Sequence, residues 1–302
     1  MKKKKASLIS KRQWFIGYMF MLPWILGFFI LTAWPFIQTV YLSFFSVNRT
    51  ILGWEREFVA LENYRYAFFE SVTFVPYLLT FVWMQAIYAP VITVISFILA
   101  LLLNMSIKAR GFFRAIFFLP VVVMSGPVMY QLLDAGGLTS VEIHNFTLWM
   151  MVAQFSVTAA DALLYLFSHY TMMLWFTGIP IILLINALQK IDSGIVEAAR
   201  IDSATSWQIL WKITIPIIRP IFLVSMILTI VQLAGYTLNP VLPMIQESIH
   251  ATVSGLGQAS ALAWIYSAVV LLIIGLAFLF LKEPKDKSGP EIKRRQMAWN
   301  ER

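Results

Sequence analysis

The sequence predicts an all-α integral membrane protein with about six transmembrane helices, and three observations support that prediction. The 302 residues are 60% hydrophobic and only 13% charged, with a mean hydropathy of +0.77, which is far from the composition of a soluble domain. Several charge-poor stretches are long enough to cross a bilayer. The basic residues are concentrated in alternate loops, so we expect both termini on the cytoplasmic side.

The predicted spans form a single transmembrane domain over residues 14–281. A basic segment at 1–13 precedes this domain, and a basic tail at 282–302 follows it. The six spans are expected at about 14–34, 77–104, 115–133, 162–189, 220–242 and 258–281. The segment at 143–160 is also apolar, but it is short and is interrupted by polar residues. We therefore expect it to be an outer-face helix or a re-entrant piece.

The distribution of Lys and Arg orients these spans. With six spans, twenty of the twenty-three basic residues lie on the side of the two termini, and the other side holds only Arg49, Arg56 and Arg65. A seventh span at 143–160 would place the basic loop that follows it outside, against the positive-inside rule. The sequence therefore predicts a multi-pass protein with both ends in the cytoplasm.

Composition also argues against several functions. The chain has no cysteine, and its three histidines lie far apart in the sequence, so no metal site is expected. There is no G-x-x-x-x-G-K-[ST] phosphate loop, so this chain is not expected to bind ATP itself. The net charge of +8 follows from the cytoplasmic loops, and a nucleic-acid partner is not expected. The sequence shows no arrangement of nucleophiles or metal ligands that would indicate an active site, so an enzyme is not expected.

The loop at 190–216 is polar, yet its residues favour helices. The segment from Glu197 to Ala199 consists of strong helix formers. Thr205, followed three residues later by Gln208, is a candidate cap for a second short helix. A solvated helical loop and a docking surface are both compatible with these residues. Apolar side chains recur at helical spacing after the cap, at Trp207, Leu210, Trp211 and Ile215.

This loop resembles the EAA loop of the permease subunits of binding-protein-dependent ABC importers. The pattern of that family is Glu-Ala-Ala, three residues, Gly, nine residues and Ile-x-Leu-Pro. The same spacing here joins Glu197-Ala198-Ala199, Ser203 and Ile213-Thr214-Ile215-Pro216. Serine replaces the family glycine at 203, where a left-handed turn would disfavour a side chain.

The wider sequence resembles the sugar-specific branch of that family over most of residues 14–281. The resemblance implies a type I ABC importer permease fold in a bacterial cytoplasmic membrane. It also implies a role as the membrane-spanning subunit of an ATP-driven importer of a sugar or oligosaccharide. The similar segments are LPWILGFFILTAWPFIQTVYLSF at 22–44, Asn63 to Ala67, RGFFRAIFFLP at 110–120 and Arg200 to Asp202.

The same resemblance implies partners and residue roles. The partners would be a second, homologous permease subunit, two ATPase subunits that hold ATP and Mg, and an extracytoplasmic sugar-binding protein. Glu197 would pair with a basic group on the ATPase, and Ala198 and Ala199 would allow its close approach. Asp202 and Ser203 would shape the turn that follows. This chain would hold no cofactor of its own.

Polar and aromatic side chains on two predicted spans are candidates for the solute pathway. An uncharged sugar requires hydrogen-bonding groups and aromatic faces rather than charges. On the fifth span, Gln232, Tyr236 and Asn239 fall at i, i+4 and i+7 and are expected to share one helix face. On the fourth span, Trp175 and Phe176 are expected near mid-membrane. Helix–helix hydrogen bonding is the alternative role for Gln232 and Asn239, and a place in the core or in the aromatic belt at the membrane interface is the alternative for the aromatic residues.

Two alternative transporter functions stay open at this point. An ABC importer for a non-sugar solute would use the same loop, because coupling does not depend on the solute. A secondary transporter driven by protons or sodium should show intramembrane carboxylates and two similar halves. The sequence shows neither feature, which disfavours that class.

Overall fold

The computed structural model describes residues 11–50, 53–105, 111–112, 131, 147–158, 160, 173–236, 239–251 and 255–282. This part of the chain is mostly helical and contains a two-stranded sheet. The chain divides into two compact units. The first comprises Met1–Leu78 with Pro240–Ala268, and the second comprises Leu79–Asn239 with Val269–Arg302.

The described chain begins with a long apolar helix. The helix α1 (Lys11–Phe28) continues through a π-helical stretch, Phe29–Ala33, into α2 (Trp34–Leu42). Pro35 does not end it, because this proline comes directly after the π-helical stretch, where the regular i→i−4 hydrogen-bond pattern is already interrupted. The predicted span at 14–34 is therefore too short, and the helix continues to Leu42.

A β-hairpin follows this helix. Its strands β1 (Phe45–Thr50) and β2 (Gly53–Phe58) pair antiparallel, with Phe45 opposite Phe58. The rings of that pair meet edge to face at 5.3 Å between centroids, the cross-strand arrangement that stabilises isolated ribbons. The short helix α3 (Glu62–Arg65) and a π-helical stretch, Tyr66–Glu70, come next.

The helix α4 (Phe74–Asn104) has 31 residues, which at about 1.5 Å per residue exceeds the roughly 30 Å hydrocarbon core of a bilayer. It begins three residues before the predicted start at 77 and runs through Pro90. The helix α5 (Thr147–Ala153) has seven residues, too few to cross a bilayer. The predicted span at 115–133 lies outside the described residues apart from Gln131, and the span at 162–189 is described only from Met173.

The remaining helices lie toward the carboxyl end. A π-helical stretch, Leu210–Thr214, joins the helix that begins at Ser206 to the helix that ends at Ala234, and together they form one continuous 29-residue helix, Ser206–Ala234. These helices are α6 (Gly178–Gln189), α7 (Ser193–Ile201), α8 (Ser206–Ile209), α9 (Ile215–Ala234), α10 (Val241–Ile249) and α11 (Gly255–Leu281).

Four helices in the described part of the chain are long and apolar enough to cross a membrane. The pair α6 and α7, bent by 65° at their junction, is a candidate for a fifth crossing. The described residues thus hold four or five of the six expected spans. The four are Ile16–Leu42, Phe74–Asn104, Ser206–Ala234 and Gly255–Leu281.

The fifth predicted span, 220–242, requires correction at both ends. The helix α9 begins at Ile215, and Pro220 lies inside it. It ends at Ala234, because Gly235 caps it and the Asn239 side-chain amide donates to the Ala234 carbonyl at 3.1 Å. A separate helix, α10, then begins at Val241. The hydropathy of the sequence did not reveal this break, because the residues that connect the two helices carry no charge.

The first unit contains a close approach between α11 and the base of the hairpin. Gly257 lies so near the Phe45 carbonyl that an added Cβ would overlap its oxygen. The side-chain amide of Asn63 fills the same corner and donates to the carbonyls of Ser43 at 2.9 Å and Phe45 at 3.0 Å. The hairpin is thus held by hydrogen bonds that require a glycine opposite them.

The second unit has an apolar core between α4, α6 and α9. In α6 the buried residues follow helical spacing, because Ile181, Leu184, Ile185 and Leu188 lie on one face. They pack with residues that include Phe97 of α4 and Ile218 of α9. This core supports the loop that carries α7 and α8.

Candidate functional site

The helix α7 is the central element of the loop at 190–216. It leaves α6 at a 65° bend. The Oδ1 atom of Asp192 accepts a hydrogen bond from the backbone N–H of Gly194 at 2.9 Å, which caps its first turn. None of its nine residues is buried. The sequence therefore builds a stable helix that packs little of its surface against its own chain.

The end of α7 explains the family glycine. Ser203 has a φ of 61°, the left-handed conformation that the resemblance suggested. The N–H of Ala204 donates to the Ala199 carbonyl at 2.9 Å, and the N–H of Ser203 donates to the Arg200 carbonyl at 3.0 Å. These two bonds form a Schellman motif, in which the residue after the cap must be left-handed. The turn geometry is thus retained although the glycine is replaced.

Replacing Ser203 by glycine is expected to stabilise the turn. A left-handed conformation costs a non-glycine residue about 1 kcal/mol, so Ser203→Gly should raise the thermal unfolding midpoint measured in detergent. Ser203→Val should lower it, because a β-branched residue resists this conformation further. Ser206→Gly, three residues later in a helical conformation, is the matched control and should lower it slightly. A higher midpoint for Ser203→Val would contradict the prediction.

The helix α8 begins with the capping box that the sequence predicted. The backbone N–H of Thr205 donates to the Gln208 side-chain oxygen at 2.8 Å, and the Gln208 N–H donates to the Thr205 hydroxyl at 3.3 Å. Both termini of the turn between α7 and α8 are therefore held by local hydrogen bonds. The two helices are connected by a turn with few free backbone groups.

The apolar residues that follow the cap lie in two different surroundings. Leu210 and Ile215 pack against the core of the second unit. Trp207 and Trp211 are 67% and 53% exposed, and their rings meet each other edge to face at 5.5 Å. The helix therefore has a core face, with Leu210 and Ile215, and an exposed aromatic face, with Trp207 and Trp211.

The surface of α7 combines a charge with apolar side chains. Glu197 is exposed and forms no ion pair within the described part of the chain. Ile195 and Ile201 are also exposed, Ile201 by 84%. The small side chains of Ala198 and Ala199 lie between these groups along the helix. An unpaired carboxylate beside exposed isoleucines is typical of a docking surface.

A second buried cluster of the second unit, here called the aromatic cluster, includes Tyr88 of α4, Phe176 just before α6, and Ile230 and Tyr236 at the end of α9. The rings of Phe176 and Tyr236 meet edge to face at 5.1 Å and are almost perpendicular. Both are buried, and Trp175 packs against the same cluster while keeping part of its surface accessible. The structure thus brings together three of the five residues proposed for the solute pathway.

The shared helix face predicted for Gln232, Tyr236 and Asn239 is wrong. Only Gln232 lies in α9, where it is partly buried. Tyr236 follows the Gly235 cap, and Asn239 turns back to bond the Ala234 carbonyl. Because the helix ends at 234, the spacing of i, i+4 and i+7 does not place these side chains on one face. Asn239 has a structural role at the helix end.

Sequence reasoning missed Gln85, a polar residue of the same region. Its side chain is 2% exposed, and its Nε2 donates to the Ile230 carbonyl of α9 at 3.1 Å. Its Oε1 is buried and has no hydrogen-bond partner among the residues that the structure describes, and such an atom costs roughly 1–3 kcal/mol when it stays unpaired. The signal was present, because an amide inside a long uncharged span deserves the same scrutiny as Gln232.

The described residues contain no group of three or more His, Asp and Glu side chains that could hold a metal. Four or five apolar helices of membrane length in the described part of the chain define a multi-pass integral membrane protein. No protein-family model matches the sequence. Comparison with individual proteins is more informative.

The chain is 30% identical over 196 residues to the osmoprotective compounds uptake permease protein of Synechocystis, covering 63% of this chain and 67% of the relative. It is 30% identical over 205 residues to the multiple sugar-binding transport system permease protein of Streptococcus mutans, covering 67% of this chain and 68% of the relative. This chain therefore belongs to the family of permease subunits of ABC transport systems, and it is a multi-pass protein of a bacterial membrane.

A solved structure has the same fold. It is a chain of a bacterial alginate ABC transporter in complex with a periplasmic protein that holds an alginate pentasaccharide. The TM-score is 0.64, and the match covers 90% of this chain and 95% of that chain at 18% identity. The prediction of an ABC importer permease fold is confirmed.

Proposed function

We propose that this chain is one of two permease subunits of an importer that carries a sugar or oligosaccharide, delivered by an extracytoplasmic binding protein and driven by ATP hydrolysis in separate subunits. The observation that carries the proposal is α7, an exposed helix that is capped at both ends and presents Glu197, Ala198 and Ala199. No residue of α7 is buried by the described part of its own chain. The proposed docking partner of this surface is a groove on the ATPase, into which α7 would fit.

The side chains of α7 support docking to the ATPase. The Glu197 carboxylate would pair with a basic group of the ATPase, and the alanines would let the two surfaces approach closely. The Schellman turn at Ser203 and the capping box at Thr205 would make α7 and α8 move together. A nucleotide-driven displacement of the ATPase would thus be passed to α9, which continues from α8 without a break. ATP and Mg would be held by the ATPase subunits.

A second permease subunit is part of the proposal for a geometric reason. About six helices enclose too little space for an alternating-access cavity that accepts an oligosaccharide, so two permease chains would form it. We propose a related but distinct chain as the partner. The names of the relatives support a binding-protein-dependent system, because the Streptococcus mutans protein is a multiple sugar-binding transport system permease and the alginate transporter was solved with its periplasmic protein.

The aromatic cluster supports an uncharged, hydroxyl-rich solute. The described segments that form it, at 74–104, 173–189, 220–236 and 255–281, contain no Asp, Glu, Lys or Arg. Aromatic faces pack on sugar rings, and the amides of Gln85 and Gln232 could bond hydroxyl groups. An osmoprotective solute is the second candidate, because the Synechocystis relative is named for osmoprotective compounds. The same aromatic faces could also hold the ammonium group of a net-neutral zwitterion such as glycine betaine or proline.

The test is to assemble the importer and ask which solute stimulates its ATPase. The chain would be purified with its partner permease and the two ATPases, reconstituted in liposomes, and supplied with the binding protein. Maltotriose, arabinotriose, trehalose, an alginate trisaccharide and two non-sugar osmoprotectants, glycine betaine and proline, would be compared. We expect one of the sugars to increase ATP hydrolysis several-fold and to enter the liposomes only when ATP is present.

Two outcomes would contradict the proposal. Stimulation by glycine betaine or proline alone would replace the sugar by an osmoprotectant and would leave the importer role standing. Uptake driven by a proton or sodium gradient without ATP would remove the importer role altogether. Each result therefore identifies which part of the proposal fails.

A further inference from the structure

The buried amide of Gln85 is only half used by the protein. Its Nε2 donates to the carbonyl of Ile230, four residues before α9 ends at Ala234. Its Oε1 has no hydrogen-bond partner in the described part of the chain. A carboxamide at this depth therefore offers one unoccupied acceptor at a fixed position.

The position of this acceptor is beside the aromatic cluster. Ile230, to which the amide is bonded, belongs to that cluster together with Tyr88, Phe176 and Tyr236. Gln85 precedes Tyr88 by three residues on α4, so both lie on the same side of that helix. An amide oxygen next to perpendicular aromatic rings is the combination that a sugar hydroxyl and its ring would require.

Helix–helix adhesion explains only half of this arrangement. The bond from Nε2 to Ile230 would suffice to join α4 to α9, and it accounts for the amide nitrogen. An acceptor that is buried without a donor is unfavourable, and such atoms are rare in folded proteins. A donor that arrives during the transport cycle would explain why an amide occupies this position instead of an apolar side chain.

We propose that Gln85 recognises the solute: its Oε1 accepts a hydrogen bond from a solute hydroxyl as the solute passes the Phe176–Tyr236 pair, while its Nε2 keeps the bond to Ile230. This inference rests on the proposed importer function and adds a residue from a third helix to the pathway. The amide is held from one side, so its acceptor is already oriented when the hydroxyl arrives.

The experiment compares Gln85→Leu with the unaltered chain in the reconstituted importer, using whichever of the tested sugars stimulates ATP hydrolysis and its singly deoxygenated analogues. In the unaltered chain, one analogue should be transported about tenfold less efficiently than the parent, the effect of one hydrogen bond. Gln85→Leu should transport the parent about tenfold less efficiently and should no longer distinguish that analogue. The same binding protein is present throughout, so a change in discrimination arises in the permease.

Ser225→Ala is the control, because the Ser225 hydroxyl oxygen is also buried without a partner among the described residues, while Ser225 lies on α9 five residues, more than one helical turn, before Ile230. It should leave the discrimination unchanged. The inference is overturned if Gln85→Leu keeps the full penalty for every analogue, or if the unaltered chain penalises none. A lower thermal unfolding midpoint with unchanged discrimination would assign Gln85 to helix adhesion. If no sugar stimulates hydrolysis, the proposed function fails first, and the inference fails with it.

Discussion

Glu197→Lys is expected to abolish transport and solute-stimulated ATP hydrolysis while the chain remains folded in the membrane. Glu197 is exposed on α7 and has no ion-pair partner among the described residues, so a positive charge there disturbs nothing in its own chain. At a docked interface the same change replaces attraction by repulsion. The loss of one partner of such a pair costs roughly 2–5 kcal/mol, enough to uncouple the ATPase.

The measurement is ATP hydrolysis by the reconstituted importer with and without solute, together with uptake into liposomes. Glu247→Lys makes the same charge change at an exposed residue of α10 and should retain wild-type coupling. Glu197→Gln removes the charge without reversing it and should give an intermediate loss. Normal transport by Glu197→Lys would show that α7 does not couple this chain to the ATPase.

Gly257→Ala is expected to destabilise the protein strongly, although it adds only one methyl group. The added Cβ would overlap the Phe45 carbonyl oxygen and lie 3.2 Å from the Asn63 side-chain nitrogen. The hairpin base must then move away, which weakens the two hydrogen bonds that Asn63 donates. Overpacking of this kind costs about 1–3 kcal/mol, and the weakened hydrogen bonds add to that cost.

Gly275→Ala is the matched control on the same helix. An added Cβ there meets no atom within 4 Å, and alanine favours a helix over glycine by about 1 kcal/mol. Thermal unfolding in detergent should therefore give a lower midpoint for Gly257→Ala and an unchanged or higher one for Gly275→Ala. Equal midpoints for the two variants would show that the contact between α11 and the hairpin is loose.

The loop at 190–216 was largely predictable because its structure is made by neighbours in sequence. The capping box joins Thr205 to Gln208 across three residues, and the Schellman turn joins Ala199 to Ala204 across five. The left-handed turn at 203 followed from the glycine of the family pattern. Local hydrogen bonds of this kind are set by residue type and spacing, which the sequence displays directly.

The arrangement of the residues proposed for the solute pathway was less predictable, because it depends on where a helix ends and on which helix lies opposite. The break after Ala234 separates Gln232 from Tyr236 and Asn239, although the spacing of the three suggested one face. The bond from Gln85 to Ile230 joins residues 145 positions apart in the chain. Hydropathy reports the cost of burying a segment in lipid and carries no information about such pairings.

The sequence by itself determined that this chain crosses a membrane several times, and it predicted which side its loops face and which loop would couple it to a partner. These properties follow from apolar length, from the distribution of Lys and Arg, and from hydrogen bonds within one or two turns. Only the tertiary structure decided that Phe176 meets Tyr236, that Gly257 leaves room for the Phe45 carbonyl, and that the Oε1 of Gln85 has no hydrogen-bond partner among the described residues. These features depend on packing between distant segments, where a difference of one atom decides whether two groups can meet.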